Sequence, residues 1–171
     1  LFNGEVIRFE LDGIVSSNET RGHFVQQPDM ITVPSVAAYP ALLRSADVIL
    51  DQNERREEIA RQLTAAAAKA GGVLVPDDEL LDVVTYLVEK PNAVVCEFNE
   101  EFLPIPDIVL ITEMREHQKY FAVRDASGKL TNRFLVISNN PETSFVREGN
   151  ERVIRARFTD ASFFFNEDGK H

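Results

Sequence analysis

Hydrophobic and polar residues alternate near the start of the chain, which is the spacing of a strand with one covered face. Over residues 5–15 this alternation predicts a strand or a hairpin. The polar residues 16–23 predict a loop, and "MITVP" predicts a short strand that ends at Pro34. A helix capped by Ser35 and a strand over residues 47–50 are expected to follow.

Apolar residues then recur every three or four positions, which indicates two amphipathic helices. The first is predicted from about residue 54 to residue 70, where Gly71 and Gly72 end it. The second is predicted over residues 77–89, with Pro91 beyond its end. The residues expected to be buried are Ile59, Leu63, Ala66, Ala67 and Ala70 in the first helix, and Leu80, Leu81, Val84, Leu87 and Val88 in the second.

The second half of the chain mixes both spacings. "AVVCEF" predicts a strand, and residues 107–118 predict a third helix. Two strands around the turn at residues 125–128 form the strongest hairpin signal. A last helix is predicted over residues 147–166, with Ile154, Phe158, Ala161 and Phe165 in one buried stripe. The fold class is therefore α+β, a mixed α/β chain with an antiparallel-rich sheet and packed helices.

The composition is that of an ordinary globular chain. The 171 residues fit a single domain over 1–171, and no apolar run reaches the ~20 residues of a membrane span. The first residue is Leu1 and no leader follows it, so we expect an internal module of a longer protein. The lone Cys96 is expected in a buried strand and suits a reducing cytoplasm; a nucleophilic role would need a base that its neighbours do not supply.

The net charge of −10 argues against a general nucleic-acid binder, including a DNA binder. Residues 1–110 hold 8 Lys/Arg and 19 Asp/Glu, whereas residues 111–171 hold 10 and 9. Any basic surface is therefore expected in the last third of the chain, or at Arg21.

Three segments offer candidate contacts. In "TRGHF", Arg21 and His23 flank a glycine, which fits either a phosphate contact or a turn closed by Gly22. In the third helix, Arg115 and Lys119 share a face and can hold two phosphates. His117 follows Glu113 by one turn, which fits either acid–base chemistry or a histidine that stabilises a helix end.

The last helix carries a second cationic edge, at Arg152 and Arg155. Glu148 and Glu151 lie one turn before them, so the alternative is a surface neutralised by its own ion pairs. Phe163, Phe164 and Phe165 cannot all face one core, so at least one is expected to meet another domain or a partner.

Signatures of metal and nucleotide chemistry are missing from the sequence. Cys96, His23, His117 and His171 are spread singly, so no metal site is expected. There is no His-Asp pair, no GxxxxGK[ST] loop, no GxGxxG and no G-x-S-x-G, so we expect neither a cofactor nor a catalytic residue in this chain.

The chain resembles the beta subunit of bacterial glycyl-tRNA synthetase over residues 13–168. The segments that carry the resemblance are "ITEMREHQKYFAV", "RFLVISN" and "EGNERVIRARFTDASFFFNED", with "TRGHF", "ADVILDQNERREEI" and "LLDVVTYLVEKP" in matching order. One departure is the lack of an arginine between His23 and Phe24, where the family commonly has GHRF.

The resemblance implies a part of a cytoplasmic tetramer of two alpha and two beta subunits that joins glycine to its tRNA. It also implies that ATP and magnesium act at the alpha subunit, and that the partners of this module are glycine tRNA, the alpha subunit and other beta-subunit domains. The module is similar to the editing-type domain of the phenylalanyl-tRNA synthetase beta subunit. Glycine is the smallest amino acid, so a synthetic site can exclude larger ones by size and we expect no hydrolysis.

The leading hypothesis from the sequence is a non-catalytic module that handles tRNA. Its candidate contacts are Arg21, His23, Arg115, His117, Lys119, Arg152 and Arg155. The alternatives are a scaffold between domains or subunits without tRNA contact, and a residual hydrolytic editing domain that uses Glu113 and His117.

Overall fold

The computed structural model describes residues 1–168 of the chain. These residues form two compact units, Leu1–Arg55 and a second that begins at Arg56. The expectation that residues 1–171 form one domain stays a prediction. Lys170 and His171 lie outside the described residues, so the prediction that His171 binds no metal cannot be compared with the structure.

The first unit contains short elements. It consists of strands β1 (Glu10–Leu11), β2 (Ile14–Val15), β3 (Glu19–Arg21) and β4 (Met30–Thr32), helix α1 (Tyr39–Ser45) and the start of α2 (Gln52–Lys69). The predicted hairpin is confirmed, since β1 and β2 pair antiparallel around Asp12 and Gly13. Both turn residues have positive φ, 50° and 80°, as a two-residue hairpin loop requires.

Two predictions for the first unit are wrong. The polar residues 16–23 do not form only a loop, because β3 pairs antiparallel with β4, with Thr20 opposite Ile31. Residues 47–50 form no strand. Their apolar side chains gave a strand-like pattern, but Asp47 has a positive φ of 63°, which interrupts an extended backbone.

The second unit is built on a four-stranded antiparallel sheet. Its elements after α2 are β5 (Val73–Leu74), α3 (Asp78–Thr85), β6 (Asn92–Glu97), a 3-10 turn (Glu100–Phe102), α4 (Asp107–Thr112), a π-helical segment (Glu113–Gln118), β7 (Phe121–Arg124), β8 (Leu130–Ser138) and α5 (Ser144–Asp168). The strand order is β5-β7-β8-β6. The predicted fold class, α+β with an antiparallel-rich sheet, is confirmed.

Helices cover both faces of this sheet. On one face Val95 and Leu135 pack with α2 and α3. On the other face Val94 and Phe134 pack with α4, the π-helical segment and α5. Side chains alternate between the two faces of a strand, so consecutive residues of β6 and of β8 pack into opposite cores. Both strands therefore have mainly apolar sequences.

The structure of the second unit differs from the prediction in three details. The two-residue strand β5 was missed, because it lies between Gly72 and Pro76. Helix α3 ends earlier than predicted, and Leu87 is exposed. Ile154 and Phe158 are fully buried, but Phe165 is exposed because α5 continues about 10 Å past Phe158, beyond the core.

Candidate nucleic-acid interface

The seven predicted contact residues are divided between the two units. Arg21 and His23 belong to the first unit, and the other five belong to the second. Within the second unit, Arg115, His117 and Lys119 lie in or next to the π-helical segment, whereas Arg152 and Arg155 lie on α5.

Arg21 is an exposed residue at the end of β3. Its Nε lies 3.2 Å from the sulfur of Met30, the residue opposite it in β4. A thioether is a weak acceptor that carries no charge, so this contact leaves the guanidinium charge uncompensated. Arg21 therefore remains suited to an anionic partner.

His23 occupies the interior of the first unit and is 0% exposed. Its Nδ1 accepts hydrogen bonds from the backbone N–H groups of Val25 and Gln26, at 3.3 and 3.2 Å. The backbone N–H of His23 donates to the Ala46 carbonyl at 2.8 Å. The ring therefore shapes its loop from inside, and we leave His23 out of the candidate surface.

Gly22 is fixed by the same close packing. A Cβ at this position would lie 2.5 Å from both the Cβ and the carbonyl oxygen of Ala46. Of the two alternatives for "TRGHF", His23 therefore fits the turn closed by Gly22 and not the phosphate contact. Of the two candidate residues in this segment, only Arg21 is exposed at the surface.

The guanidinium of Arg115 is bound by three carboxylates. Its Nε donates to Asp77 Oδ2 at 2.7 Å, one Nη donates to Glu79 at 2.6 Å, and the other Nη pairs with Glu116. These hydrogen bonds, first of all the one to Asp77, raise the pKa of Arg115 above its usual range. An incoming phosphate would have to displace carboxylates, so Arg115 is better placed to hold the fold together.

The common face of Arg115 and Lys119 stays a prediction. Residues 113–118 are π-helical, not α-helical, and Lys119 follows them in a left-handed conformation with φ 59°. The Lys119 ammonium donates to the carbonyl oxygen of Glu116 at 2.9 Å and caps the end of the segment.

His117 and Glu113 approach each other as their spacing predicted, with 3.8 Å between Nε2 and Oε2. That distance is too long for a hydrogen bond. In the described part of the chain, no group of three potential metal-ligating side chains comes together. The fully buried Cys96 has a pKa raised by burial to about 12, the opposite of an activated thiol.

Arg152 and Arg155 are exposed on α5 and form no ion pair with the described side chains, those of residues 1–165. No ion pair joins either arginine to Glu148 or Glu151 in the described structure, and a surface neutralised by these two carboxylates stays the alternative. Glu151 accepts a hydrogen bond from the backbone N–H of Glu97, at 2.9 Å, at the end of β6. The two guanidinium groups are therefore exposed to solvent without a direct carboxylate contact among the described side chains.

Exposed aromatic rings accompany these arginines on α5. Phe145 is 84% exposed, Phe163 is 64% exposed and Phe164 is 66% exposed. The sequence pointed to the group from Phe163 to Phe165 but not to Phe145. Counting 100° per residue along the helix would have placed Phe145 on the same side as Arg152.

The family model for the glycyl-tRNA synthetase beta subunit matches residues 1–171. The chain belongs to this family. It is 46% identical over 172 residues to the glycine–tRNA ligase beta subunit of Syntrophotalea carbinolica, covering 99% of this chain and 25% of that protein. It is 48% identical over 176 residues to that of Polaromonas naphthalenivorans, with the same coverage, and 51% identical over 164 residues to that of Acidovorax ebreus, covering 92% and 23%.

This member of the glycyl-tRNA synthetase beta subunit family spans about a quarter of the length of those curated relatives. Among its described residues, no helix is both long and apolar enough to cross a membrane. The likeness to the editing-type domain of phenylalanyl-tRNA synthetase stays a prediction.

Proposed function

We propose that the chain is a non-catalytic module of a glycine–tRNA ligase beta subunit that holds tRNA while glycine is attached to it. The ligase acts in the cytoplasm, as two alpha and two beta subunits, with ATP and magnesium at the alpha subunit. Family membership supports the reaction. The single observation that supports tRNA contact is the pair of exposed guanidinium groups at Arg152 and Arg155.

This pair differs from most arginines of the second unit. The arginines in ion pairs there are Arg56, Arg61, Arg115, Arg124, Arg133 and Arg147. In a chain of net charge −10, Arg152 and Arg155 are exposed cations with no carboxylate at ion-pair distance among the described side chains. Phosphate oxygens bind guanidinium groups through charge-assisted hydrogen bonds, so an RNA backbone is a suitable occupant.

The two side chains also have a suitable spacing. Three residues along a helix correspond to about 4.5 Å of rise and about 60° of rotation between the side-chain directions. Both guanidinium groups can therefore reach one phosphate backbone. Arg21 in the first unit, and the half-exposed His117 and Lys119 near the π-helical segment, remain secondary candidates.

The test is tRNA binding by the assembled ligase with Arg152→Gln and Arg155→Gln, across a series of salt concentrations. Glutamine keeps most of the side-chain length and removes the charge. We expect weaker binding and a salt slope reduced by about 1 for each lost phosphate contact. Arg157→Gln is the matched control, because Arg157 is exposed on the same helix but points about 140° away from Arg152. Equal effects of the pair and the control would overturn the proposal.

A second candidate function is a scaffold between domains or subunits. The observation that favours it is the group of exposed rings on α5. In that case, the substitutions Phe163→Ser and Phe164→Ser would weaken assembly of the ligase. The enzyme that still assembles would bind tRNA as the parent does.

A further inference from the structure

The C-terminal part of α5 presents two aromatic rings to solvent. Phe163 and Phe164 have ring centroids 5.8 Å apart and planes at 78° to each other. In this edge-to-face arrangement, at least one ring face is not covered by the other ring. Both residues lie past Phe158, the last fully buried residue of the helix, so the core does not cover them.

Phe163 shares a side of α5 with Arg152, whereas Phe164, twelve residues after Arg152, points about 120° away from it. Phe163 follows Arg152 by eleven residues, which is about 16 Å of rise and a rotation of only about 20°. Phe145 precedes Arg152 by seven residues and lies about 20° from it in direction. The small residues Gly149 and Ala156 separate them, and a Cβ at Gly149 would meet nothing within 4 Å. The outer side of α5 thus carries an exposed ring at each end and cations between them; we call it the α5 strip (Phe145, Arg152, Arg155 and Phe163).

Guanidinium groups and an exposed ring on the same side of a helix can together bind an unpaired stretch of nucleotides. Arginine binds the phosphates, and an aromatic ring stacks on a base whose face is free. In a duplex, the bases are stacked on each other and offer no face to a side chain. A purely electrostatic duplex site would gain nothing from rings 64% and 66% exposed.

We propose that the α5 strip binds an unpaired segment of tRNA, with phosphates at Arg152 and Arg155 and a base stacked on Phe163. This inference rests on the proposed function and deepens it, because it names the kind of tRNA element that is bound. A protein surface would also cover the rings, but the exposed guanidinium charges favour an anionic occupant. Docking of another protein domain is therefore an outcome of the test.

The test uses the assembled ligase with full-length beta subunit and three fluorescent glycine tRNAs. Each tRNA carries one 2-aminopurine: at the unpaired 3′ end, in the anticodon loop, or inside a stem. Stacking of this base on a ring quenches its fluorescence. The variant Phe163→Leu with Phe164→Leu keeps the apolar volume but removes both rings. Phe165→Leu is the matched control, because Phe165 is also exposed but points about 160° away from Phe163.

We expect the Leu pair to lose the quenching at one of the two unpaired positions and to weaken tRNA binding by about fivefold for each unstacked base. The stem probe and the Phe165→Leu enzyme should behave as the parent does. Phe163→Tyr with Phe164→Tyr should retain quenching, because tyrosine keeps the aromatic face.

Failure of the inference can be told apart from failure of the proposed function. If Arg152→Gln with Arg155→Gln weakens binding but the Leu pair changes neither quenching nor affinity, the strip contacts phosphates only and the stacking proposal is overturned. If the arginine pair changes nothing, the proposed function fails as well. If the Leu pair binds tRNA normally and Phe163→Ser with Phe164→Ser instead disrupts the alpha–beta assembly, the rings dock on protein and the inference is overturned.

Discussion

Asp77 binds two partners at once, the N-terminus of α3 and Arg115 of the π-helical segment. Its Oδ1 accepts the Leu80 N–H at 2.9 Å, and its Oδ2 accepts Arg115 Nε at 2.7 Å. One carboxylate therefore joins the elements that cover opposite faces of the sheet. The contact also explains why Arg115, which looked like a phosphate ligand in the sequence, has a structural role.

Asp77→Ala should lower the free energy of unfolding by about 1–2 kcal/mol through loss of the helix cap alone. Asp77→Asn keeps an oxygen that can accept the Leu80 N–H but removes the charge that faces Arg115, so it should cost less than alanine. Urea unfolding of the three chains gives the comparison. Equal stability of the alanine variant and the parent would show that the cap contributes nothing.

The sequence predicted the elements whose signals are local. The β7–β8 hairpin was found because its turn, residues 125–128, ends in Gly128 with φ 83°, and α2 was found because Gly71 ends it with φ 73°. Helical spacing also located Ile154 and Phe158 correctly. These features depend on residues within one or two turns of each other.

The errors concern features that depend on distant parts of the chain. The π-helical geometry cannot be predicted from the spacing in "EMREHQ"; Arg115 is bound there by Asp77 and Glu79, which lie 38 and 36 residues away. His23 is buried against the backbone of Ala46, a contact that no local pattern records. For the same reason the sequence did not show that Glu151 binds the Glu97 backbone instead of Arg155.

The two phenylalanines Phe158 and Phe165 of the predicted buried stripe should respond very differently to mutation. Phe158 is 0% exposed and packs edge-on against Phe98, with centroids 4.9 Å apart, whereas Phe165 is 45% exposed. Phe158→Ala should cost about 3–5 kcal/mol of unfolding free energy, and Phe165→Ala less than about 0.5 kcal/mol. Thermal or urea unfolding of both variants measures the difference. Similar losses in the two variants would mean that the C-terminal part of α5 is covered by the core.

Gln62 of α2 closes part of the exposed edge of β6. Its side-chain oxygen accepts the Ala93 N–H at 2.8 Å, and its amide donates to the Pro91 carbonyl at 3.0 Å. The amide thus pairs with the edge strand much as the backbone of a further strand would, which prevents pairing with another chain.

Gln62→Ala should therefore lower the unfolding free energy by about 1 kcal/mol and increase self-association of the chain. Sedimentation or light scattering over a range of concentrations measures the association. Thr64→Ala, an exposed change two residues along the same helix, serves as the control. If Gln62→Ala stays monomeric at every concentration at which the parent does, Gln62 is not needed to protect this edge.

Stability should decline at alkaline pH because of Cys96. Burial raises the pKa of this thiol from its ordinary value of 9.0 to about 12. The unfolded chain therefore loses the thiol proton first and binds fewer protons than the folded chain between these values. The free energy of unfolding should then fall as pH rises from about 9 to about 12, by at most about 1.4 kcal/mol per pH unit from this group.

Urea unfolding at several pH values between 8 and 11 tests this, with Cys96→Ala as the comparison. Burial also raises the pKa of Tyr120, to about 12. Tyr120 is present in both the parent and Cys96→Ala, so both chains should lose some stability at alkaline pH. Alanine lowers stability at every pH by creating a cavity, but it removes the thiol ionisation, so its stability should decline less steeply above pH 9. Parallel declines in the two chains would show that the Cys96 thiol ionises as readily in the folded chain as in the unfolded one.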